Sequence, residues 1–187
     1  MRYVAEYLSP DAHDALLAAV DGQPWQEPSY IGRRVQVYGY TYHHTRGGIF
    51  RIGDLPSWVN ALSVSLVRDG LMPSPPDQMV VNEYPAGTGI RAHMDDDSFD
   101  DAIVSISLGS SCVMELSRNL AESTEPIFLE PRSALVLAGA ARHKWLHAIP
   151  ARASDVWQGV ERPRGRRVSP QTQPQESIPR GRTIHQF

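Results

Sequence analysis

Cysteine is almost absent from this sequence of 187 residues, in which Cys112 stands alone. A single cysteine excludes an internal disulfide and a cysteine-rich zinc site, so we expect a reducing, cytoplasmic location. Long apolar runs are missing as well. The longest is far too short to span a bilayer, and the start, MRYVAEYLSP, lacks the apolar stretch of a secretory signal. We therefore expect no membrane partner.

The sequence also lacks a large excess of either charge. Its formal net charge is -3, with 18 Lys and Arg against 21 Asp and Glu, so no strong overall field attracts it to nucleic acid. A nucleic-acid partner would have to bind a local basic surface. Apolar residues make up 41% of the chain, and the length suits one domain with one core. We expect this domain to act as a monomer.

Helical patterns come first in the chain, and strand patterns follow. Ser9-Pro10-Asp11 is typical of a helix start, and apolar residues at helical spacing run from there to a stop at Asp21-Gly22. A second helix is predicted from about Pro56, and residues 33–42 alternate like a strand rich in tyrosine. After residue 77, short apolar or alternating runs predict many strands. This order favours an α+β fold, with N-terminal helices packed on one sheet of a sandwich or barrel.

The end of the chain differs from the rest in composition. The segment ERPRGRR, which begins at Glu161, is dense in arginine, and the SPQTQPQ that follows is rich in Pro and Gln. We predict one domain over residues 1–169 and a poorly ordered tail over residues 170–187.

His93-Met94-Asp95 is the first motif with chemical content. Residues i and i+2 of a strand point to the same face, so this imidazole and this carboxylate could bind one metal ion. His147, which follows a predicted strand and a short turn, is a candidate third ligand. Two histidines and one carboxylate leave three metal positions open, which is the triad of non-haem iron oxygenases. The His-x-Asp pair alone is weak, because it also arises as ordinary surface polarity.

The sequence also contains two alternative candidates for a metal site. The segment HKWLH spaces His143 and His147 as in zinc protease helices, but Lys144 stands where those helices need Glu. The acidic run after Asp95 could bind calcium, but its spacing does not match an EF-hand loop. The sequence favours neither alternative, and a solvated acidic loop explains most of that run.

The segment VNEYPAGTGIRAHMDDD resembles the AlkB family of dioxygenases, which has an Asn-x-Tyr strand, a glycine-containing turn and then His-x-Asp. RSALVLAGAARHKWLHAI is similar to the family's region around the distal histidine, with Arg142 and His147 in the expected places. RRVQVYGYTY resembles the substrate-lid strand of the branch that includes the tRNA wobble-uridine hydroxylases. The resemblance covers roughly residues 30 to 169.

This resemblance implies a double-stranded β-helix, a jelly-roll form, and an enzyme that uses Fe(II) and 2-oxoglutarate. The implied catalytic metal ligands are His93, Asp95 and His147. Asn82 and Tyr84 would hydrogen-bond 2-oxoglutarate from the Asn-x-Tyr strand.

The C-terminal part of the family pattern is incomplete in this chain. Arg167 would pair with the distal carboxylate of 2-oxoglutarate, since a planar guanidinium can donate two parallel hydrogen bonds. The family usually carries a second Arg six residues later, where this chain has Gln173, and Pro170 lies between them. Because Pro lacks the N–H that a ladder needs, we predict a truncated last strand and weak co-substrate binding.

The resemblance implies oxidation at a carbon of a single-stranded or flipped-out nucleobase. Oxidative demethylation of alkylated bases in DNA or RNA, a repair function, is our first expectation, and hydroxylation of a modified tRNA wobble uridine is the alternative. A protein or small-molecule hydroxylase and a non-catalytic binding protein with a vestigial iron site stay open. The residues expected to contact the substrate are Arg34, Tyr38, Tyr40, Asp97 and Arg142.

Overall fold

A computed structural model describes residues 1–27, 33–42, 49–95 and 102–173. The helices are α1 (Pro10–Asp21), α2 (Ser57–Arg68) and α3 (Ala140–His143). The strands are β1 (Arg2–Val4), β2 (Val35–Tyr38), β3 (Tyr40–Tyr42), β4 (Ile49–Arg51), β5 (Gln78–Tyr84), β6 (Ile90–His93), β7 (Ala102–Ile106), β8 (Leu108–Gly109), β9 (Cys112–Ser117), β10 (Glu125–Leu129), β11 (Ala134–Ala138), β12 (Leu146–Ile149), β13 (Ser154–Trp157), β14 (Val160–Pro163) and β15 (Arg167–Gln173). Within the described ranges, no helix has the length and apolar character needed to cross a membrane.

Two antiparallel sheets form the body of the fold. The larger sheet has the order β1-β11-β7-β15-β5-β2, with β8 paired to β15, and the smaller has the order β10-β9-β12-β6. Two further ribbons, β3–β4 and β13–β14, lie outside these sheets. Neighbours in the larger sheet are far apart in sequence, as in the pairs β1–β11 and β5–β15. Such long-range antiparallel pairing is that of a jelly roll and not of a simple meander.

The larger sheet carries a different apolar core on each face. Ala134 and Val136 of β11 pack with the buried side chains of α1 and α2. Leu135 and Leu137 of the same strand pack with residues of β9, β10 and β12 from the smaller sheet. This division follows from the period of two in a strand. The helices therefore cover one face of the larger sheet, as predicted, and the other face meets the smaller sheet.

Helix α1 begins and ends where the sequence predicts. The Ser9 hydroxyl accepts a hydrogen bond from the Ala12 N–H at 3.2 Å, and Pro10 occupies the first turn, where its missing N–H costs nothing. The helix ends at Asp21, and the N–H of Gly22 donates back to the carbonyl of Ala18. Local capping therefore explains both ends.

The strand predicted over residues 33–42 is divided at Gly39. This glycine has a φ of +77°, and a Cβ at this position would lie 1.9 Å from the carbonyl oxygen of Asp77. Only glycine fits such a close approach in a left-handed conformation. Strand β2 pairs with β5, whereas β3 pairs with β4. The tyrosine-rich segment is thus shared between the larger sheet and a separate ribbon.

The last strand, β15, contradicts the predicted truncation at Pro170. It pairs with β5 along its whole length, from Arg167 to Gln173. On its other side β8 pairs with residues 167–168 and β7 pairs with residues 171–172. Pro170 falls between these two paired stretches, where the ladder is already interrupted, and proline is tolerated at such a place. The predicted tail is therefore ordered as strand up to Gln173, and residues 174–187 lie outside the described residues.

Candidate metal centre and co-substrate cavity

Strands β6 and β12 bring the three predicted metal ligands together. His93 and His147 are register partners on these neighbouring strands, and Asp95 follows two residues after the end of β6. The Nε2 atoms of His93 and His147 lie 3.9 and 3.5 Å from the carboxylate oxygens of Asp95. One donor atom from each residue lies within 4.8 Å of the other two, so a single ion can contact all three.

A hydrogen bond orients the imidazole of His93, and burial keeps that of His147 in the form that binds a metal. The Nδ1–H of His93 donates to the carbonyl oxygen of Arg91 at 2.8 Å. Since a carbonyl can only accept, the lone pair of His93 is on Nε2, which faces Asp95. Burial lowers the pKa of His147 to about 4, although the charge of Asp95 acts in the opposite direction. His147 is therefore neutral near pH 7, as a ligand must be.

Asp95 provides a test of whether this site suits a cation. Its Oδ2 is buried and has no hydrogen-bond partner among the described residues, whereas its Oδ1 accepts a hydrogen bond from Gln171 Nε2 at 3.3 Å. A buried carboxylate oxygen without a partner is unfavourable, and a divalent cation held between Asp95 and two neutral imidazoles would remove that penalty. The donor set of two imidazoles and one carboxylate, with further positions open, fits Fe(II).

Arg142 holds in place the chain segment that carries the metal ligand Asp95. Its side chain belongs to α3, is 2% exposed, and donates from Nη1 to the backbone carbonyl oxygen of Asp95 at 2.9 Å. This contact gives Arg142 a positioning role for Asp95. The predicted contact between Arg142 and a substrate stays a prediction.

The metal centre opens into a cavity of about 180 Å³ between the two sheets. Asn82 and Tyr84 line this cavity, as predicted, because alternate residues of β5 point toward the smaller sheet. Polar side chains lie near the metal ligands, and apolar side chains form the rest of the wall. These other lining residues are Arg33, Val80, Ile90, Ile103, Ser105, Met114, Leu135, Leu137, Ile149, Ser169 and Gln171.

Arg167 places a positive charge without a described protein partner in a small pocket that shares Tyr84 and Ile149 with this cavity. It is the register partner of Tyr84 and is 2% exposed. All three of its guanidinium nitrogens are buried, and none has a hydrogen-bond partner in the part of the chain that the structure describes. A buried unpaired charge is strongly unfavourable. An anion such as the distal carboxylate of 2-oxoglutarate would remove this penalty, and the role of Arg167 in binding it stays a prediction.

Two residues expected to contact the substrate lie away from the cavity. Arg34 donates two hydrogen bonds to Glu83 at 2.6 and 2.8 Å, and Glu83 points to the opposite face of β5 from its neighbours Asn82 and Tyr84. Tyr38 packs edge-on against Trp58, with ring centroids 5.5 Å apart, in the core under α2. Both expectations are corrected: Arg34 joins elements on the outer face, and Tyr38 is a core residue.

The two remaining predicted substrate contacts are not settled by the structure. Tyr40 is half-buried in the β3–β4 ribbon opposite Arg51 and does not line the metal cavity. Asp97 lies outside the described residues. Their roles in binding a substrate stay predictions.

The cavity wall includes polar residues that were not among the predicted site residues, and Arg33, Ser169 and Gln171 are examples. Ser169 and Gln171 follow Arg167 at a spacing of two, which is the signal that places them on the same face of β15. No such signal identifies Arg33. Arg33 and Arg34 are adjacent arginines, and the sequence alone does not tell which of the two faces the cavity. Their assignment to opposite faces depends on the register of β2 against β5.

The model of the 2OG-Fe(II) oxygenase superfamily matches residues 1–171. The tRNA (carboxymethyluridine(34)-5-O)-methyltransferase ALKBH8 of Macaca fascicularis is 35% identical, over 84% of this chain and 25% of that protein. The alkylated DNA repair protein ALKBH8 homolog of Arabidopsis thaliana is 36% identical, over 88% of this chain and 55% of that protein. Uncharacterized protein L905 of Acanthamoeba polyphaga mimivirus is 31% identical, over 89% of this chain and 80% of that protein. The chain thus spans about a quarter of the ALKBH8 methyltransferase.

Solved structures share the fold at much lower identity. OsALKBH1 has a TM-score of 0.70 at 15% identity and covers 91% of this chain and 95% of its own. A Pseudomonas putida prolyl-4-hydroxylase has a TM-score of 0.55 at 13% identity, with coverage of 94% and 92%. These likenesses concern the fold alone and confirm the predicted jelly roll. The matching family model, the close relatives and the His-Asp-His centre agree, and the chain belongs to the 2OG-Fe(II) oxygenase superfamily as an AlkB-like dioxygenase.

Proposed function

We propose that this enzyme oxidises a carbon on a modified base of a nucleic acid, with tRNA as the first candidate substrate. The observation that carries this proposal is a groove of about 820 Å³ that meets the metal cavity, since Arg33, Ile90, His93 and Ile149 line both. The arginines along the groove are Arg91 and, where the groove meets the metal cavity, Arg33. A basic groove that ends at the metal suits a polyanion whose target base enters the cavity.

The protein side chains would bind the metal ion and the co-substrate and orient the groups that hold them. Bound Fe(II) and 2-oxoglutarate supply the oxidation of a C–H bond by dioxygen, with release of succinate and carbon dioxide. His93, Asp95 and His147 would hold the ion, and Gln171 fixes the carboxylate of Asp95. Arg167 would hold the distal carboxylate of the co-substrate, while the apolar wall around Leu135 and Leu137 excludes water.

The relatives favour a tRNA substrate over the repair function that we expected first. ALKBH8 proteins from Macaca fascicularis, Xenopus tropicalis and Mus musculus, at 32–35% identity, all have names that refer to carboxymethyluridine at position 34 of tRNA. Their methyltransferase activity is not part of our proposal, because this chain spans only about a quarter of them. We propose oxidation of a substituent on a modified wobble uridine.

Repair of alkylated bases is the second candidate, and one observation favours it. The Arabidopsis thaliana relative, at 36% identity, is named an alkylated DNA repair protein. On this proposal the oxidised carbon would be an N-methyl group, and formaldehyde would be lost after hydroxylation.

Turnover on a substrate panel separates these candidates. The iron-loaded protein is incubated with 2-oxoglutarate and tRNA that carries a carboxymethyl-type wobble uridine, or with N-methylated single-stranded RNA or DNA, and digested nucleosides are analysed by mass spectrometry. We expect a uridine derivative heavier by one oxygen from the tRNA. Demethylated bases from the oligonucleotides alone would favour repair. Succinate release that no nucleic acid stimulates would contradict both, and the His93→Ala variant controls for free iron.

A further inference from the structure

We infer that Arg33 is a second co-substrate-binding residue: it shares the distal carboxylate of 2-oxoglutarate with Arg167 and fixes the orientation of the Asn82 amide. This inference rests on the use of 2-oxoglutarate by the enzyme. Arg33 lies outside the Asn-x-Tyr motif and the C-terminal Arg motif. Gln173 stands where the family pattern has its second arginine, so a second positive charge has to come from elsewhere in the chain.

The register of three neighbouring strands places Arg33 and Arg167 on either side of Tyr84. Arg167 of β15 is opposite Tyr84 of β5. On the other side of β5, Val35 is opposite Asn82, and the Glu83 N–H donates to the Arg34 carbonyl at 3.0 Å. Two residues before Val35, this antiparallel register brings Arg33 opposite Tyr84. The guanidinium carbon of Arg33 lies 5.8 Å from the centroid of the Tyr84 ring.

Electrostatics agree with this placement. Burial raises the pKa of Tyr84, and the charges of Arg33 and Arg167 act in the opposite direction. Both cations therefore act on the phenol from the two strands that flank it. Two like charges around one side chain, next to a cavity, are favourable when an anion lies between them.

The charge on Arg33 is not paired with any carboxylate of the described residues. Its Nε donates to Asn82 Oδ1 at 3.0 Å, and its side chain faces the metal cavity. The arginines that do form carboxylate pairs are Arg34, Arg51, Arg68, Arg132, Arg152, Arg164 and Arg166. Arg33 lines the cavity and Arg167 lies beside Tyr84, and neither pairs with a carboxylate of the described residues, so both charges are available to an anionic ligand.

The hydrogen bond from Arg33 also determines which end of the Asn82 amide faces the ligand. A guanidinium has donors only, so the atom of Asn82 that it contacts must be the carbonyl oxygen. The amide Nδ2–H₂ group is left as a donor toward the cavity. A carboxylate or keto oxygen of the co-substrate is the acceptor that such a group requires.

Arg166 was an alternative source of the second charge, and its contacts exclude it. Arg166 pairs with Asp21 and with Glu83, and Glu83 points away from the cavity. Arg33 is therefore the arginine of the described ranges that combines a position on the cavity wall with a charge not paired to a carboxylate.

The test compares two 2-oxo acids that differ only at the distal end. Binding of 2-oxoglutarate and of 2-oxopentanoate, which has a methyl group in place of the distal carboxylate, is measured by calorimetry on protein loaded with Ni(II), which does not turn over. We expect Arg33→Ala to weaken 2-oxoglutarate by about 10- to 100-fold and to leave 2-oxopentanoate within about twofold. Arg33→Lys, which keeps the charge, should recover part of the loss.

Arg34→Ala is the matched control, because it removes the same side chain from the outer face of the same segment. It should leave both affinities unchanged. Equal losses for both acids in Arg33→Ala would mean a structural role and overturn the inference. So would unchanged 2-oxoglutarate affinity combined with a raised KM for nucleic acid, which would make Arg33 a substrate contact. If the wild-type protein binds neither acid, the co-substrate assignment fails together with the inference.

Discussion

His93 and Asp95 are each oriented by a neighbour that is not itself a ligand, and His147 is kept neutral by burial. The Arg91 carbonyl sets the tautomer of His93, Gln171 and Arg142 hold the carboxylate and the carbonyl of Asp95, and burial keeps His147 neutral. Mutation of such outer contacts typically lowers metal affinity or activity by about 10- to 100-fold. The geometry is therefore prepared before the ion binds.

The first prediction concerns the identity of the ligands. His93→Ala and His147→Ala should each lose bound iron and turnover, because each removes one of three donors, while the fold persists. His143→Ala should keep one iron per chain, because His143 is exposed and lies outside the donor cluster. Metal content by mass spectrometry, with circular dichroism for the fold, checks this. Loss of iron from His143→Ala with retention in His93→Ala would favour the alternative pair in HKWLH.

The second prediction separates the two effects of the Arg167 charge. Arg167→Met should stabilise the ligand-free protein by about 1–4 kcal/mol, because it removes a buried guanidinium that has no partner among the described residues. It should also abolish most of the increase in Tm that 2-oxoglutarate causes in the wild type. Thermal unfolding with and without co-substrate measures both. A ligand-free variant less stable than the wild type would mean that Arg167 has a structural partner.

The β13–β14 ribbon depends on one buried carboxylate for its attachment to the smaller sheet. Asp155 accepts hydrogen bonds from the Val113 N–H of β9 at 2.9 Å and from Arg152 at 2.7 Å. Arg164 donates two more, both at 2.6 Å. Burial alone would raise the pKa of Asp155, but the hydrogen bonds from Arg164, Val113 and Arg152 outweigh it and lower that pKa.

The third prediction is that Asp155→Asn destabilises the protein by about 3–5 kcal/mol near pH 7, because it leaves Arg164 buried without its charge partner. A carboxyl whose folded pKa is lowered stabilises the fold above its unfolded pKa of about 3.9. That contribution is lost as pH falls through the folded pKa. The difference between wild type and variant should therefore shrink in acid.

Denaturant unfolding in steps from pH 7 toward pH 3 tests this. Asp54→Asn is the control, because Asp54 pairs with Arg51 at an exposed site, where a salt bridge contributes about 0–1 kcal/mol. A stability difference for Asp155→Asn that does not change with pH would contradict the assigned charge interaction.

The charge of the whole molecule is close to neutral, but it is not evenly distributed. The formal net charge is -3, and the groove next to the metal nevertheless has Arg33 and Arg91 on its wall. An overall negative chain binds a polyanion only through such a local surface. Binding of nucleic acid should therefore be weak and sensitive to salt.

The fourth prediction is that affinity for single-stranded RNA falls steeply with salt, since each phosphate contact releases counterions. Arg91→Ala should weaken binding to all sequences alike and reduce the slope of log K against log salt by about 1. Arg68→Ala, which removes an exposed arginine of α2 paired with Asp69, should change neither. Fluorescence anisotropy over a salt series measures this. A flat salt dependence of the wild type would indicate a substrate other than nucleic acid.

Local patterns in the sequence predicted helices α1 and α2, the strand-rich second half of the chain and the metal triad, and the resemblance to the AlkB family implied Asn82 and Tyr84 as co-substrate residues. Capping residues act over a few positions, and the alternation of a strand assigns faces without reference to distant residues. The motif HMD with a distal His was therefore visible before the fold was known. Arg167 was identified only through the resemblance to the C-terminal Arg motif of the family.

Only the tertiary structure decided between Arg33 and Arg34, because a register shift of one residue exchanges the two faces of a strand. It also extended β15 through Pro170, since the break between β7 and β8 leaves room for a residue without an N–H. Burial of Arg142 and Tyr38 likewise depends on which elements cover them. These outcomes arise from contacts between residues far apart in the chain, and no local pattern encodes them.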